Sequence, residues 1–258
     1  VLAEERRDQI KSLLKNFDSL SIQSLSQKFK VSPSTIRRDL QKLERKKILR
    51  RTHGGAVNFK TIKNELDFSV KKDINVEEKK KIGILASELV EDGDSLFIES
   101  GSTSIYLSYN LGNKKNLTIV TNSCEIGLAA NAANPKAKIF LTGGYLKPDT
   151  HSLIGHMADT SIRNFKIEKA FVGITALDPE EGITTVDHTE AYTKKMIIEA
   201  SKLTIGLMDS SKFGKVCLNY VCSLQDLDIV VSSENLSKEG AKKIREMGIK
   251  IITGCGKL

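Results

Sequence analysis

The sequence predicts an α/β protein in two unlike parts, a small helical module at the N-terminus and a larger, mainly parallel sheet domain behind it. Three observations carry that expectation. The net charge of +8 is lopsided: residues 1–57 hold 14 Lys and Arg against 6 Asp and Glu, whereas residues 58–258 hold 26 of each. Three short apolar patterns of helical period crowd into the same basic segment. Beyond residue 76 helical and strand-like runs alternate, the order expected of an open parallel sheet.

Length and composition narrow the class. At 258 residues, with 40 % hydrophobic and 28 % charged side chains, the chain has the make-up of a globular protein of one or two domains. No apolar run reaches the roughly 18 residues of a membrane span. The opening VLAEERRDQI lacks the basic and then apolar build of a secretory signal, so a cytoplasmic location without a membrane partner is expected. Cys124, Cys217, Cys222 and Cys255 form no C-x-x-C pair, and His53, His151, His156 and His188 show no ligand spacing, so no metal is expected. Cys217 and Cys222 would face opposite sides if they shared a strand, and buried free thiols are the expected state.

In AEERRDQIKSLLKNF, Ile10, Leu13, Leu14 and Phe17 recur at helical spacing. In SIQSLSQKFKV, Ser21 is placed to cap a helix whose Ile22, Leu25 and Phe29 share a face. The third pattern, SPSTIRRDLQKLERKK, opens with Ser32 at the N-cap position and Pro33 at the first helical position, a strong start signal. Only a few residues separate the second and third helices, which is the helix-turn-helix spacing. On the third helix Ile36, Leu40 and Leu43 fall within about 60° of one another and must face the core. Ser34, Arg38, Gln41 and Arg45 then point the other way, flanked by Thr35 and Arg37. Such donors and hydroxyls read base edges and grip phosphates in a major groove. A lone helix with this face would be read as solvated; the spacing and the local charge turn the reading to DNA.

In ILRRTHGGAVNF, two short strands flank a turn whose glycines can take positive φ. A hairpin after the recognition helix is a wing, with Arg50, Arg51 and His53 as its candidate contacts. For His53 a turn residue without any contact is an equal alternative. EERRDQIKSLL, VSPSTIRRDLQKLE and RTHGGAV together resemble the DeoR family of bacterial transcription regulators, which carry an N-terminal winged helix-turn-helix. The resemblance is specific, because the Ser-x-x-Thr-x-Arg-Arg-Asp-Leu run and the His-Gly-Gly turn occur in order.

Residues 1–58 are therefore expected to form the DNA-binding domain, and the polar, weakly periodic residues 59–75 a linker. Residues 76–258 form a Rossmann-like α/β domain, with a helix over 77–91 and strands near 95–99, 117–120, 137–141, 168–174, 203–208, 228–232 and 249–253. In such sheets ligands bind beyond the carboxyl ends of the strands. Those ends carry ESGSTS, TNS, TGG, GIT and DSSK, a polar, phosphate-friendly edge. No G-x-G-x-x-G follows the first strand and no G-x-x-x-x-G-K-[ST] appears, which disfavours a nicotinamide or NTP cofactor. Lys212 suits a phosphate and reads equally as a surface lysine. Glu190 with Asp187 fits a helix capping box.

This second part also resembles the DeoR family, through GSTS, VTNS, LTGGYL, GITALD, GITTVDHTEAYTKKMI and DSSKFG. The family's effector domain is similar in fold to ribose-5-phosphate isomerase and senses phosphorylated sugars. The resemblance implies that Gly101, Ser102 and Thr103 form a phosphate loop. It implies that Thr121, Asn122, Gly143 and Gly144 line the sugar, and that Asp178, Glu190, Asp209 and Lys212 supply polar contacts. Two departures stand out: Glu99 where the family has Asp, and Gly173-Ile174-Thr175 where it has Gly-Ala-Asp. An isomerase needs a base and a group to stabilise an enediolate oxygen. Glu190 could be that base, but the isomerases that this fold resembles use a second acidic residue where Thr175 stands and a lysine in a glycine-rich loop near EEGITT, and this chain has neither. The expected function is a DNA-binding regulator, a repressor of a sugar operon controlled by a phosphorylated sugar and assembled as a homodimer or homotetramer. The rival is a sugar-phosphate isomerase tethered to DNA.

Overall fold

The computed structural model describes residues 3–16, 19–46, 48–52, 55–58, 61–62 and 67–254. By internal packing the chain divides into two units, Val1–Thr61 and Ile62–Leu258.

The first unit runs α1 (Ala3–Asn16), β1 (Ser19–Ser21), α2 (Ile22–Phe29), α3 (Pro33–Arg45), β2 (Leu49–Thr52) and β3 (Gly55–Asn58). Both N-caps form: the Ser21 side chain accepts from the Ser24 N–H, and Ser32 from the Thr35 N–H. Each satisfies a backbone donor that the first helical turn leaves open. Ile10, Leu25, Ile36, Leu40, Leu43 and Leu49 are at most 1 % exposed and form one core. The inward stripe of α3 is thus the one its periodicity predicts, with Asp39 buried alongside it.

β2 and β3 pair antiparallel with Thr52 opposite Gly55, and β1 joins the far side of β3. That third strand was not legible, because three residues are too short to show a period. His53, Gly54 and Phe17 lie outside the described residues. Gly55 needs a different account from the turn geometry expected of it. It is not among the described residues with positive φ, and a Cβ there would lie 2.0 Å from the Leu20 carbonyl oxygen. Glycine is required for the close approach of β1 to β3.

The strand β4 (Thr61–Ile62) and the helices α4 (Phe68–Lys72) and α5 (Val76–Glu88) precede the main sheet. α4 falls inside the stretch 59–75 whose polarity suggested a linker. Five residues are too few for a helical stripe, yet Phe68 is buried. Next come β5 (Ser95–Ile98), α6 (Ser104–Tyr109), β6 (Thr118–Thr121), α7 (Cys124–Ala133) and β7 (Lys138–Leu141). β8 (Tyr145–Leu146), β9 (Leu153–Ile154), α8 (His156–Arg163), β10 (Ile167–Gly173), β11 (Ala176–Asp178), β12 (Gly182–Thr185) and α9 (His188–Glu199) follow. The chain continues through β13 (Ser201–Leu207), β14 (Val216–Cys217), β15 (Asn219–Cys222), β16 (Ile229–Val231), α10 (Lys238–Glu246) and β17 (Lys250–Ile252).

Seven strands form one sheet in the order β17-β16-β13-β10-β5-β6-β7, with every pair parallel. Alternation along β5 shows how it is covered: Leu96 and Ile98 join the core under α5–α7, while Phe97 packs with Met196 and Ile197 of α9. Helices therefore lie on both faces, as a doubly wound sheet requires. β11, β12 and β15 form a small antiparallel sheet beside it. Cys217 and Cys222 lie on separate strands, and burial pushes their thiols up to about 11 and about 12, so neither is a ready nucleophile.

Candidate functional site

In the first unit, α3 presents Ser34, Arg37, Arg38, Gln41 and Arg45 as exposed side chains, with Thr35 half-buried. The hydroxyls of Ser34 and Thr35 lie 2.8 and 3.0 Å from that of Ser32, so the start of the helix is a hydroxyl cluster. Asp39 is the residue that orients this surface. Its carboxylate accepts from Arg6 Nε at 2.7 Å and from Arg7 at 3.3 Å, tying α3 to α1. Of the wing residues, Arg51 Nε lies 2.6 Å from Glu44, whose other oxygen accepts the Arg51 N–H. The Arg50 side chain and the whole of His53 lie outside the described residues.

In the second unit the strand order reverses between β5 and β10, because the chain builds outward from β5 to β7 and then returns beside β5 as β10. Carboxyl-end loops diverge at such a point and leave a crevice. A pocket sits there, lined by Phe68, Lys71, Glu99, Ser100, Gly101, Ser102, Thr103, Thr150, Gly173, Ile174, Thr175, Glu190, Lys194 and Lys212. Gly101, Ser102, Thr103, Glu190 and Lys212, all read from the sequence, thus come together.

The other expected residues are placed differently. Thr121 donates to the Ile98 carbonyl at 2.6 Å, and Asn122 accepts the Ser100 N–H at 2.8 Å. They hold the 99–103 loop from below. Gly143 and Gly144 are outside the pocket lining; both have positive φ, and a Cβ on Gly144 would meet the Ile154 carbonyl oxygen at 2.5 Å. Asp178 accepts from the Glu180 and Glu181 N–H groups in the β11–β12 turn. Asp209 caps the 3-10 turn Ser210–Lys212, and Asn75 donates to it at 3.0 Å. Burial opposes its charge, but the Ser211 hydrogen bond, Lys212 and Asn75 outweigh burial and hold its pKa below the usual carboxylate value.

Two lining residues gain their meaning only here: Glu99, which stood out in the sequence only as a departure from the family's Asp, and Lys194, which was not singled out at all. Glu99 and Lys194 form a buried pair at 2.8 Å, with side chains 4 and 5 % exposed. Glu99 also accepts the Gly173 N–H at 2.9 Å, and Lys194 donates to the Gly173 carbonyl at 2.9 Å. Burial raises the Glu99 pKa, with Lys194 opposing it. Lys194 follows Glu190 by four residues on α9, so helical spacing could have flagged it. The Asp187 side chain accepts the Glu190 N–H, as a capping box suggests. Glu190 itself faces Lys147 at 3.5 Å. Ser102 is not the helix cap; α6 starts from Thr103, which makes no side-chain cap bond. Behind the loop, Ser104 Oγ is fully buried and has no hydrogen-bond partner. It lies 3.2 Å from where a Cβ on Gly101 would stand. Among the described residues no group of His, Cys, Asp and Glu could hold a metal ion, and no helix is long and apolar enough to cross a membrane.

An exposed recognition helix with its strand hairpin, followed by a doubly wound unit with a polar switch-point pocket, defines a DNA-binding regulator with a sensor domain. The family models agree: a DeoR-like helix-turn-helix domain matches residues 6–61, and a DeoR C terminal sensor domain matches residues 74–234. The chain belongs to the DeoR family of transcriptional regulators. It is 32 % identical to the uncharacterized HTH-type transcriptional regulator YulB of Bacillus subtilis (strain 168), over 97 % of this chain and 96 % of that protein. It is 32 % identical to the glycerol-3-phosphate regulon repressor of Escherichia coli (strain K12), over 88 % and 89 %. Ribose 5-phosphate isomerase A from Methanocaldococcus jannaschii superposes with a TM-score of 0.40 at 17 % identity, over 54 % of this chain and 55 % of that one.

Proposed function

We propose that the chain is a repressor of a carbohydrate-utilisation operon whose grip on operator DNA is set by a phosphorylated sugar in the switch-point pocket. The observation that carries this reading is the pocket itself. The Gly101–Thr103 backbone, Lys71 and Lys212 line one site with both amides and cations, the groups that hold a phosphate. Thr150, Thr175 and Glu190 supply partners for sugar hydroxyls. The name of the Escherichia coli relative points to the same ligand class. On this reading Arg38, Gln41 and their neighbours on α3 contact the operator.

The pocket binds its ligand and releases it unchanged. Proton transfer between adjacent carbons needs a carboxylate free to act as base. Glu99 is locked between Lys194 and the Gly173 N–H, and Glu190 faces Lys147. Incubation with pentose and hexose phosphates should give no isomer; product formation at a rate scaling with protein concentration would establish the enzyme instead. The sensor reading is tested by titrating an operator, selected from random DNA, with and without phosphorylated sugars. Wild type should change its affinity for operator. Ser102→Glu should still bind operator but lose the response, because its bulk and charge occlude and repel the phosphate. A Ser102→Glu protein that responds at wild-type ligand concentrations places the phosphate elsewhere.

A further inference from the structure

We propose that Glu44, near the C-terminal end of α3, is a positioning residue for operator binding: it holds the Arg51 guanidinium beside the recognition helix, with both Nη groups set to grip one DNA phosphate. The inference rests on the reading of the first unit as the operator-binding module and needs nothing from the sensor pocket. It gives an acidic residue on a basic surface a part in binding DNA.

Strand alternation brings Arg51 to α3. Leu49 and Arg51 are two residues apart on β2 and share a face. Leu49 is buried in one core with Leu43 of α3, so the same face carries Arg51 along the helix, one step beyond the core. Glu44 stands there. At 100° per residue it lies about a quarter turn from the centre of the outward face, on the side of Arg37 and Gln41. One carboxylate thus joins the hairpin to the recognition helix at the border of the DNA-facing surface.

Both oxygens of that carboxylate face Arg51. Oε2 accepts from Arg51 Nε at 2.6 Å, and Oε1 accepts the Arg51 N–H at 2.9 Å. A guanidinium pinned through Nε keeps its two Nη groups out of the pair. Among the described residues the Arg51 side chain makes no other hydrogen bond or ion pair. The two side chains are 41 and 33 % exposed, and an ion pair this exposed adds little to stability. Its effect is on the conformation in which Arg51 meets DNA. A planar fork with two donors to spare takes one phosphate by two parallel bonds. Contacts to phosphate fix register on the duplex, a role suited to the C-terminal end of a helix whose N-terminal residues reach base edges. An arginine already held loses less rotamer freedom on binding.

A carboxylate beside DNA also repels the phosphates, so Glu44 has two opposite effects. With Arg51 present, positioning outweighs repulsion. With Arg51 removed, only repulsion is left. A scaffolding role, such as fastening β2 to α3 through the Arg51 N–H, would weaken binding in both backgrounds when lost. The sign of the Glu44 effect therefore separates positioning from scaffolding.

The experiment is a fluorescence-anisotropy titration of the full chain over a salt series. The probes are an operator selected by wild type from random DNA and a random duplex of equal length. Arg51→Gln should bind operator roughly tenfold or more weakly, as the loss of a charge-assisted contact dictates. It should also flatten the slope of log affinity against log salt by about 1. Glu44→Gln keeps an oxygen for the Arg51 N–H and loses the charge. It should bind operator about threefold to tenfold more weakly, the size of coupling between neighbours. Its salt slope should be no shallower than that of wild type, because Arg51 keeps its charge, and its hold on the random duplex should not fall. In the double variant the Glu44→Gln change should strengthen binding relative to Arg51→Gln alone. Should Glu44→Gln lower the thermal midpoint, Glu44→Asp takes its place: it keeps the charge but stops a methylene short of Arg51 Nε, and it should lose operator affinity at an unchanged salt slope. If the residue-44 variant binds operator as wild type does, or Glu44→Gln weakens binding equally in both backgrounds, Glu44 does not position Arg51 and only this inference falls. If Arg51→Gln binds operator normally, Arg51 does not touch DNA and the inference falls with that contact. If wild type selects no sequence from random DNA, the operator reading itself falls.

Discussion

Single residues divide the first unit between grip and scaffold. Arg38 and Asp39 are neighbours on α3, yet one is exposed and the other 3 % exposed. Arg38→Ala is expected to cost about 1–3 kcal/mol of operator binding if it reads a base edge, with the thermal midpoint unchanged. An electrophoretic titration in which this variant matches wild type would reassign the outward face. Asp39→Ala is expected to act on stability instead. It removes the buried carboxylate to which Arg6 Nε, on a side chain 7 % exposed, donates. Removing one partner of such a pair costs about 3–5 kcal/mol. Circular dichroism should show the first unit melting earlier, and a midpoint equal to wild type would show that the Asp39 pair does not hold α1 to α3.

At the scale of elements, two junctions decide geometry. The hairpin of β2 and β3 carries β1 on its back only because Gly55 has no side chain. Gly55→Ala forces a shift of backbone and should cost about 1–3 kcal/mol by overpacking, with operator affinity falling alongside the thermal midpoint. The second junction is the start of α5. Glu78 accepts from the Ser210 N–H at 3.0 Å and from the Ser210 and Ser233 hydroxyls. Burial works against its charge, but these hydrogen bonds win and lower its pKa from 4.5. A carboxylate lowered in the folded state stabilises above its unfolded pKa, and that stability is lost as pH falls through the folded value. Glu78→Gln should therefore lower the neutral-pH melting midpoint and flatten the acid limb below about pH 4.5. An acid limb identical to wild type would show that Glu78 does not couple these elements.

At the scale of the molecule, one helix-turn-helix is a small reader. Specific operators are usually gripped by paired modules on spaced half-sites, so the full chain should form a dimer or a larger species. The second unit leaves Leu128, Phe140 and Leu141 exposed around the edge strand β7, and unpaired apolar edges are rarely left to solvent. Light scattering at micromolar concentration should report at least twice the chain mass of 28.5 kDa; a monomer there would sink the expectation.

The sequence by itself determined the elements whose signals are local. Ser32-Pro33 starts α3, Ile36, Leu40 and Leu43 turn its inner face, and the charge excess marks the basic end. Apolar runs locate the seven parallel strands to within a residue or two, and parallel order then places GSTS and DSSK on one edge. Tertiary structure decided what depends on neighbours distant in the chain. Asp39 meets Arg6 and Arg7 across 32 or 33 residues, and Glu99 meets Lys194 across nearly a hundred, pairings that no local period encodes. Thr121 and Asn122 sit at the edge as expected, yet packing turns them to brace the loop. α4 was invisible because five residues cannot display a helical stripe; only docking of Phe68 on His151 gives it a reason to fold. A buried charge or a short helix takes its meaning from what packs against it, and only the folded chain supplies that partner.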